Sequence, residues 1–380
     1  MKVGDLVRAM ERLAPLGQAA EWDKVGLLVG DSARDLSGPV LLTIDLTERV
    51  LREAVEMRAG AVVAYHPPIW EPLTRITDAT PRQRVLLRAI EAGLAVYAPH
   101  TSLDAASGGM TDWLCEGLSG STQPGKILGD CRALVPHARE APTQELKIVT
   151  FVPAASVEGV RDALASAGAG IIGQYTLCSF TTPGAGTYLG GEGTHPATGI
   201  PGRREEVAEV RLEMVCSRAA LALALETLRR FHPYEEPAID VYELVRQPRR
   251  NVGAGRRLQL DRPATVRELA ERLKAFIRRP FVRFALADPD QDRVVSRVGV
   301  VCGAGGSHSR EAARQGCEVF VTGEMAHHDV LGALHAGMSV ILGGHTSTER
   351  GFLPRLRERL ALEGFDARVS TMDRDILTTI

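Results

Sequence analysis

The sequence lacks the features that mark a membrane protein or a secreted one. No apolar run approaches the ~18–20 residues of a membrane span, and the N-terminus has no apolar core of a signal peptide. The six cysteines contain no Cys-x-x-Cys pair and no metal-ligand spacing, which is typical of buried thiols in a reducing compartment. We therefore expect a cytoplasmic protein without a membrane partner.

An excess of charge of one sign is also missing. The net charge of −2 and the pI near 6.6 give no electrostatic reason to expect nucleic acid as a partner. One basic run, residues 246–257, holds five arginines among Pro and Gly, and we interpret it as a solvated linker. A hydrophobic content of 44% is that of an ordinary soluble protein, and 380 residues predict two or three folding units.

One short motif occurs twice. His-Thr-Ser-x-carboxylate spans His100–Asp104 and again His345–Glu349, and each copy follows a helix end, a glycine and a short apolar run. Ligands of open α/β sheets bind at the carboxyl ends of the strands. We therefore expect each copy to deliver an imidazole and a carboxylate to one site.

Two hypotheses account for this motif. An imidazole and a carboxylate from each of two half-sites would form a shell for one or two divalent metal ions. The segments 101–104 and 346–349 also have the spacing of a capping box, which begins helices. Capping does not explain why a histidine precedes both boxes, so the metal hypothesis is favoured and both stay open.

Further histidines follow apolar runs. His66 comes after the run 61–64, and the two prolines behind it stiffen the backbone that aims its imidazole. His327 and His328 follow the similar run 318–324, and in the alternative interpretation at least one of them lies on the surface or only supports a ligand. Strand-plus-histidine thus also appears twice, which suggests two related lobes facing one site.

A glycine-rich turn between a strand and a helix, residues 302–307, is a weaker signal. Gly303, Gly305, Gly306 and Ser307 could cradle a phosphate at the helix N-terminus. The turn lacks the lysine of a P-loop, and a tight turn without a ligand fits it at least as well.

The periodicity predicts an α/β protein with two pseudo-symmetric α/β lobes forming one core. The lobes cover residues 1–128 and 249–380, and residues 119–145 have the composition of a linker. Between them, residues 145–247 predict a ferredoxin-like insert of order βαββαβ, with strands over 171–180 and 209–215 around a glycine-rich loop, 183–202.

The motifs together resemble a known family. Trp22–Val29, Tyr65–Ile69, His100–Asp104, Thr322–Met325 and Gly344–Glu349 resemble the Nif-three-like family, whose members are also called type-two GTP cyclohydrolase homologues. The resemblance covers nearly the whole chain. The insert is similar to the middle domain of the longer members, and its segment 232–237 resembles a motif of CutA-type cation-tolerance proteins.

The resemblance implies a dinuclear metal centre inside a toroidal homohexamer. The implied ligands are His66, Asp104, His345 and Glu349. Tyr65 stands where many bacterial members have a second histidine. Tyr65, His100 or His327 could therefore supply the missing metal ligand, and His328 is a further candidate for a ligand or for a residue that supports one. We expect two divalent ions, Zn, Mn, Fe or Co, with one weakly held.

The resemblance also implies a reaction, metal-assisted hydrolysis of a small molecule. By analogy with the family label the substrate would be GTP, its triphosphate at the 303–307 turn and a proton shuttled by Glu324 or His327. The rival hypothesis is a non-enzymatic metal-handling or regulatory protein, which the CutA-like insert favours.

Overall fold

The structure, a computed structural model, describes residues 1–138 and 141–378, and it separates into two compact units. The larger unit comprises Met1–His137 and Arg249–Ile380, and the smaller one comprises Ala138–Pro248. Within the described residues, none of the helices combines the length and the apolar composition that crossing a bilayer requires.

The strands, in chain order, are β1 (Gly26–Val29), β2 (Val40–Thr43), β3 (Ala61–Ala64), β4 (Ala95–Ala98), β5 (Asp130–Ala138), β6 (Leu146–Val152), β7 (Phe180–Leu189), β8 (Arg204–Cys216), β9 (Ile239–Glu243), β10 (Pro248–Thr265), β11 (Arg283–Ala285), β12 (Val294–Val300), β13 (Val319–Thr322), β14 (Ser339–Leu342) and β15 (Ala367–Val369). The helices are α1 (Val3–Leu13), α2 (Glu48–Glu56), α3 (Pro81–Glu91), α4 (His100–Ala105), α5 (Met110–Ser119), α6 (Val157–Ser166), α7 (Leu221–Phe231), α8 (Val266–Phe276), α9 (Ser309–Arg314), α10 (His327–His335), α11 (Ser347–Arg350) and α12 (Leu353–Leu362).

The larger unit contains two sheets built on the same plan. The first has the strand order β1-β4-β3-β2-β15, and the second has the order β11-β14-β13-β12-β10-β5. In each, at least three neighbouring strands run parallel and the strand at the edge, β1 or β11, pairs antiparallel. This repetition confirms the predicted α/β class with two related lobes.

The lobes exchange their outermost strands. β5 follows the first lobe in sequence but joins the second sheet, and β15 follows the second lobe but pairs parallel with β2 in the first sheet. One continuous core therefore contains side chains of both lobes, such as Leu42, Met110, Leu258 and Ile341. The central strands are fully buried apolar runs, as parallel strands covered on both faces are. Polar side chains consequently appear where these strands end.

The smaller unit has the element order βαββαβ and the antiparallel sheet order β7-β8-β6-β9. Its assignment to the ferredoxin-like class stays a prediction. The strand predicted over residues 171–180 is wrong, because β7 begins at Phe180 and occupies part of the predicted glycine-rich loop. β7 lies at the edge of its sheet. Pro183 is tolerated there because an edge strand pairs on one side only, so the missing N–H of proline need not break a hydrogen bond between strands.

Two segments predicted as linkers are strands of the second sheet. β5 lies within residues 119–145, and the arginine-rich run enters β10, which pairs antiparallel with β12. Arg256, far from being solvated, is fully buried. Its guanidinium donates to Asp112 and to the carbonyls of residues 105, 106, 251, 253 and 255, so that both its charge and its N–H groups are satisfied.

Arg256→Met should lower the free energy of unfolding by about 3–5 kcal/mol, because it leaves the Asp112 carboxylate and several carbonyls buried without their partner. Urea denaturation followed by circular dichroism measures this. Lys274→Ala, which breaks the half-exposed pair with Glu271, is the control and should change stability by no more than about 1 kcal/mol. A urea midpoint for Arg256→Met equal to that of the control would show that the buried Arg256–Asp112 pair does not stabilise the fold.

Candidate metal centre

Polar side chains gather where the parallel strands of the two lobes end. In the first lobe, Asp45 follows β2, His66 follows β3 and His100 follows β4. In the second lobe, Cys302, Glu324 and His345 follow β12, β13 and β14. All six line one cavity of about 920 Å³ in the larger unit. Both lobes thus contribute to one site, as strand ends of α/β sheets do.

The centre of the site is the carboxylate of Glu349, which is only 2% exposed. Its Oε1 lies 3.4 Å from Nε2 of His345, and its Oε2 lies 3.5 Å from Nε2 of His66. Ligand atoms of these three residues all lie within 4.8 Å of one another. Three of the four ligands implied by the resemblance therefore converge, and each oxygen of the carboxylate faces one imidazole.

Two further carboxylates fix the direction of these imidazoles. Nδ1 of His66 lies 2.9 Å from Asp45, and Nδ1 of His345 lies 2.8 Å from Glu324. With Nδ1 bonded to a carboxylate, the Nε2 atom is the one turned toward Glu349. Glu324, predicted as a proton shuttle, orients His345 here. Asp45 was missed by the sequence reasoning, although its place behind the apolar strand 40–43 was a usable signal.

The site gathers negative charge in a buried place. Burial raises the pKa of Glu349, and the neighbouring Asp104 raises it further. Burial also raises the pKa of Asp104. Burial alone would lower the pKa of His66, but the hydrogen bond to Asp45 and the negative charges of Glu349 and Asp45 raise it to about 10. Oε2 of Glu349 has no hydrogen-bond partner within the described residues, although Nε2 of His66 lies 3.5 Å away.

Asp104, the fourth implied ligand, lies in the same cavity but is bonded to Tyr65. The phenol of Tyr65 donates to Oδ1 of Asp104 over 2.6 Å, and its oxygen lies 3.9 Å from Sγ of Cys302. Burial, reinforced by the charge of Asp104, raises the pKa of Tyr65 well above its ordinary value. Tyr65 is therefore a neutral donor. Cys302 was not predicted, because no cysteine spacing points to it.

His100 occupies the first-lobe position that corresponds to His345, but its environment differs. Its Nδ1 lies 2.9 Å from both oxygens of Asp23, and the amide of Thr101 also donates to that carboxylate. The backbone of His100 has φ of +32°, a strained value for a residue with a side chain. Trp22 and Trp70 flank its ring.

The capping-box hypothesis for the repeated motif is wrong. Neither α4 nor α11 has a side-chain hydrogen bond at its N-cap, and Glu349 instead faces the two imidazoles. His327 and His328 begin α10 on the exposed surface and do not line the cavity. In the second lobe, the residue that corresponds to His66 by its place after the strand is Glu324 rather than either of these histidines.

The glycine-rich turn closes one side of the centre. Gly303 has φ of +59°, and a Cβ at this position would lie 2.5 Å from Oε1 of Glu349, so only glycine fits. The amides of Gly303 and Gly305 donate to the hydroxyls of Thr348 and Thr322. Two of the amides proposed for phosphate are thus occupied. Phosphate binding at Gly306 and Ser307, where Ser307 contacts His308, stays a prediction.

Known proteins share both the sequence and the fold. A GTP cyclohydrolase 1 type 2 homolog of Halalkalibacterium halodurans is 33% identical over 380 residues, covering 99% of this chain and 98% of that protein. NIF3-like protein 1 of Rattus norvegicus is 32% identical, covering 100% and 93%. The crystal structure of a Bacillus cereus protein related to NIF3 matches with a TM-score of 0.64 at 30% identity, covering 100% and 99%.

The family described as Duf34/NIF3 (NGG1p interacting factor 3) matches residues 1–375, a span that includes both lobes, the insert and every residue of the candidate centre. On this evidence the chain belongs to the DUF34/NIF3 family, as the motifs around Tyr65, His100 and His345 predict.

Proposed function

We propose that the chain binds two divalent metal ions, Zn, Mn, Fe or Co, and acts as a metal-dependent hydrolase. The observation that supports the proposal best is the buried Glu349 carboxylate, each of whose oxygens faces the Nε2 atom of one histidine. Two carboxylate-oriented imidazoles around one shared carboxylate is a donor set that suits such ions.

The residues present fit a divalent cation. Glu349 and Asp104 are carboxylates whose pKa values are raised by burial, and Oε2 of Glu349 has no hydrogen-bond partner within the described residues. A cation between the two carboxylates would offset the cost of burying their negative charge and would give Oε2 of Glu349 a partner. Asp104, together with Tyr65 and Cys302, would hold the second and more weakly bound ion, because a protonated phenol is a poor ligand.

When bound, divalent ions would lower the pKa of water toward neutrality and polarise the substrate bond. The chain itself orients the site. Asp45 and Glu324 hold the imidazoles of His66 and His345, and Gly303 keeps the space beside Glu349 free of a side chain. Burial of Glu349 keeps bulk water from screening its charge.

The substrate class belongs to the proposal. Relatives carry the name GTP cyclohydrolase 1 type 2 homolog, and GTP is therefore the first substrate to test. The cavity of about 920 Å³ is large enough for a small molecule of this size. A hexameric toroid and a cytoplasmic location stay predictions of the family resemblance.

Metal affinity should rise with pH, by about tenfold per unit for each proton displaced. His66 has a pKa of about 10, above its ordinary value of about 6.5, so it carries a proton at neutral pH that an ion must displace. The protonated form stabilises the metal-free fold fully below about pH 6.5, and this contribution is lost as the pH rises through about 10. Zinc titrations by calorimetry, repeated in buffers of different ionisation enthalpy, measure the zinc affinity and the number of protons released on binding.

Asp45→Asn removes a carboxylate that raises the pKa of His66 and should reduce the number of protons released. Asp375→Asn, which lines the same cavity and pairs with Arg279, is the control and should leave proton release unchanged. A zinc affinity that does not change over roughly the neutral range, from about pH 6 to about pH 8, would contradict the assignment of His66 as a ligand.

Substitution of the proposed ligands should remove the metal. His345→Ala and Asp104→Ala should each weaken metal binding by at least the roughly tenfold to hundredfold typical of changes to a ligand's supporting partners, measured by mass spectrometry of the purified proteins. His328→Ala, an exposed histidine, should keep the wild-type metal content. Metal-loaded wild type should release formate from GTP, and the two ligand variants should not. Full metal loading without turnover of GTP or other nucleotides would favour a non-enzymatic role.

Tyr65→His should strengthen binding of the second ion by about tenfold or more, because a neutral imidazole is a better ligand than a protonated phenol. The measurement is the stoichiometry and affinity of zinc in a competition titration with a chelator. Tyr65→Phe is the matched control, since it removes the bond to Asp104 without adding a nitrogen. Equal affinities for the second ion in both variants would place that ion elsewhere.

A further inference from the structure

Two of the three tryptophans of the chain stand at the mouth of the cavity. Trp22 is 61% exposed and Trp70 is 42% exposed, and both line the cavity that contains Glu349. Trp113, by contrast, is buried against Phe276. Folding would gain from burying a side chain as large as an indole, so two exposed indoles at one cavity indicate that they contact something besides the core.

Both indoles are arranged around the same imidazole. The ring centroids of Trp22 and His100 lie 6.0 Å apart with the planes at 73°, and those of Trp70 and His100 lie 5.2 Å apart at 89°. An edge-to-face contact covers at most one face of each indole, which leaves another face for a ligand. The orientation of the His100 ring is fixed by its contacts with both oxygens of Asp23, and its backbone has φ of +32°.

This support lies directly beside the metal centre. The ring centroid of His100 is 5.5 Å from that of His66, one of the two imidazoles that face Glu349. A ring stacked on either indole would therefore lie near His100, whose own ring adjoins the centre. Stacking on an aromatic side chain recognises the face of a planar ring and needs no base-specific hydrogen bond.

We propose that Trp22 and Trp70 form an aromatic subsite that binds the planar heterocyclic ring of a substrate beside the metal centre. The role of this ring as substrate depends on the proposed hydrolase function, whereas its binding does not. Recognition by stacking predicts tolerance among heterocycles. Purine nucleosides should bind, and a free sugar should not.

Binding is tested with guanosine and adenosine on metal-stripped full-length protein, by quenching of tryptophan emission. Both nucleosides should quench the emission of the exposed indoles and leave that of buried Trp113, which serves as an internal reference. Ribose should not quench. Trp22→Ala and Trp70→Ala should each weaken binding by about tenfold, and the Trp→Phe variants should weaken it less, because phenylalanine retains a ring.

Tyr175→Ala, which removes an aromatic side chain that is 76% exposed and does not line the cavity, should bind the nucleosides like wild type. The metal content of every variant is measured on the purified protein before the metal is stripped, and it should equal that of wild type. The proposal is overturned if neither nucleoside quenches, or if both alanine variants bind them as tightly as wild type. Because the experiment measures binding and not turnover, its outcome does not depend on whether the hydrolase proposal is correct.

Discussion

The structure depends on one buried carboxylate. Glu349 is almost fully enclosed, and its two oxygens lie 3.4 and 3.5 Å from two imidazole nitrogens, each belonging to a different lobe. A charge in such a place is tolerated only when it is paired. The site therefore requires that strands β3 and β14, far apart in sequence, end at the same point, and the pseudo-symmetric sheets meet this requirement.

The exchange of strands explains how two lobes hold such a position. β15 completes the first sheet and β5 the second, so neither lobe has its full sheet without the other. Arg256 adds a polar link inside the same core. It donates to the carbonyls of residues 105 and 106, which directly follow Asp104, and to that of Gly253 in β10, a strand of the second sheet. Displacement of one lobe would thus break paired strands and a buried ion pair together, which makes small shifts at the centre costly.

The sequence predicted those parts of the site that a local pattern encodes. The repeat around His100 and His345, and the apolar run before His66, placed these histidines at strand ends, where the structure has them. Cys302 was missed because its partner Tyr65 is 237 positions away and no spacing marks it. Asp45 was missed although, like His66, it follows an apolar run, because no repeated motif marks it. Arg256 was misread because its charge suggested exposure, whereas Asp112, paired with it across 144 positions, decides its burial. The error over β7 has the same origin, since its whole length pairs with β8.

Three of the carboxylate–histidine pairs, those made through Nδ1 of a histidine that lines the cavity, differ in where they direct the imidazole. Asp45–His66 and Glu324–His345 aim Nε2 at Glu349, whereas Asp23 holds His100 between two exposed indoles. A carboxylate therefore orients a histidine in two different environments, one rich in oxygen and nitrogen donors and one rich in aromatic faces. Donors suit a cation and aromatic faces suit a planar ring. Since the rings of His66 and His100 are 5.5 Å apart, the two surroundings adjoin, and a molecule that uses one would also meet the other.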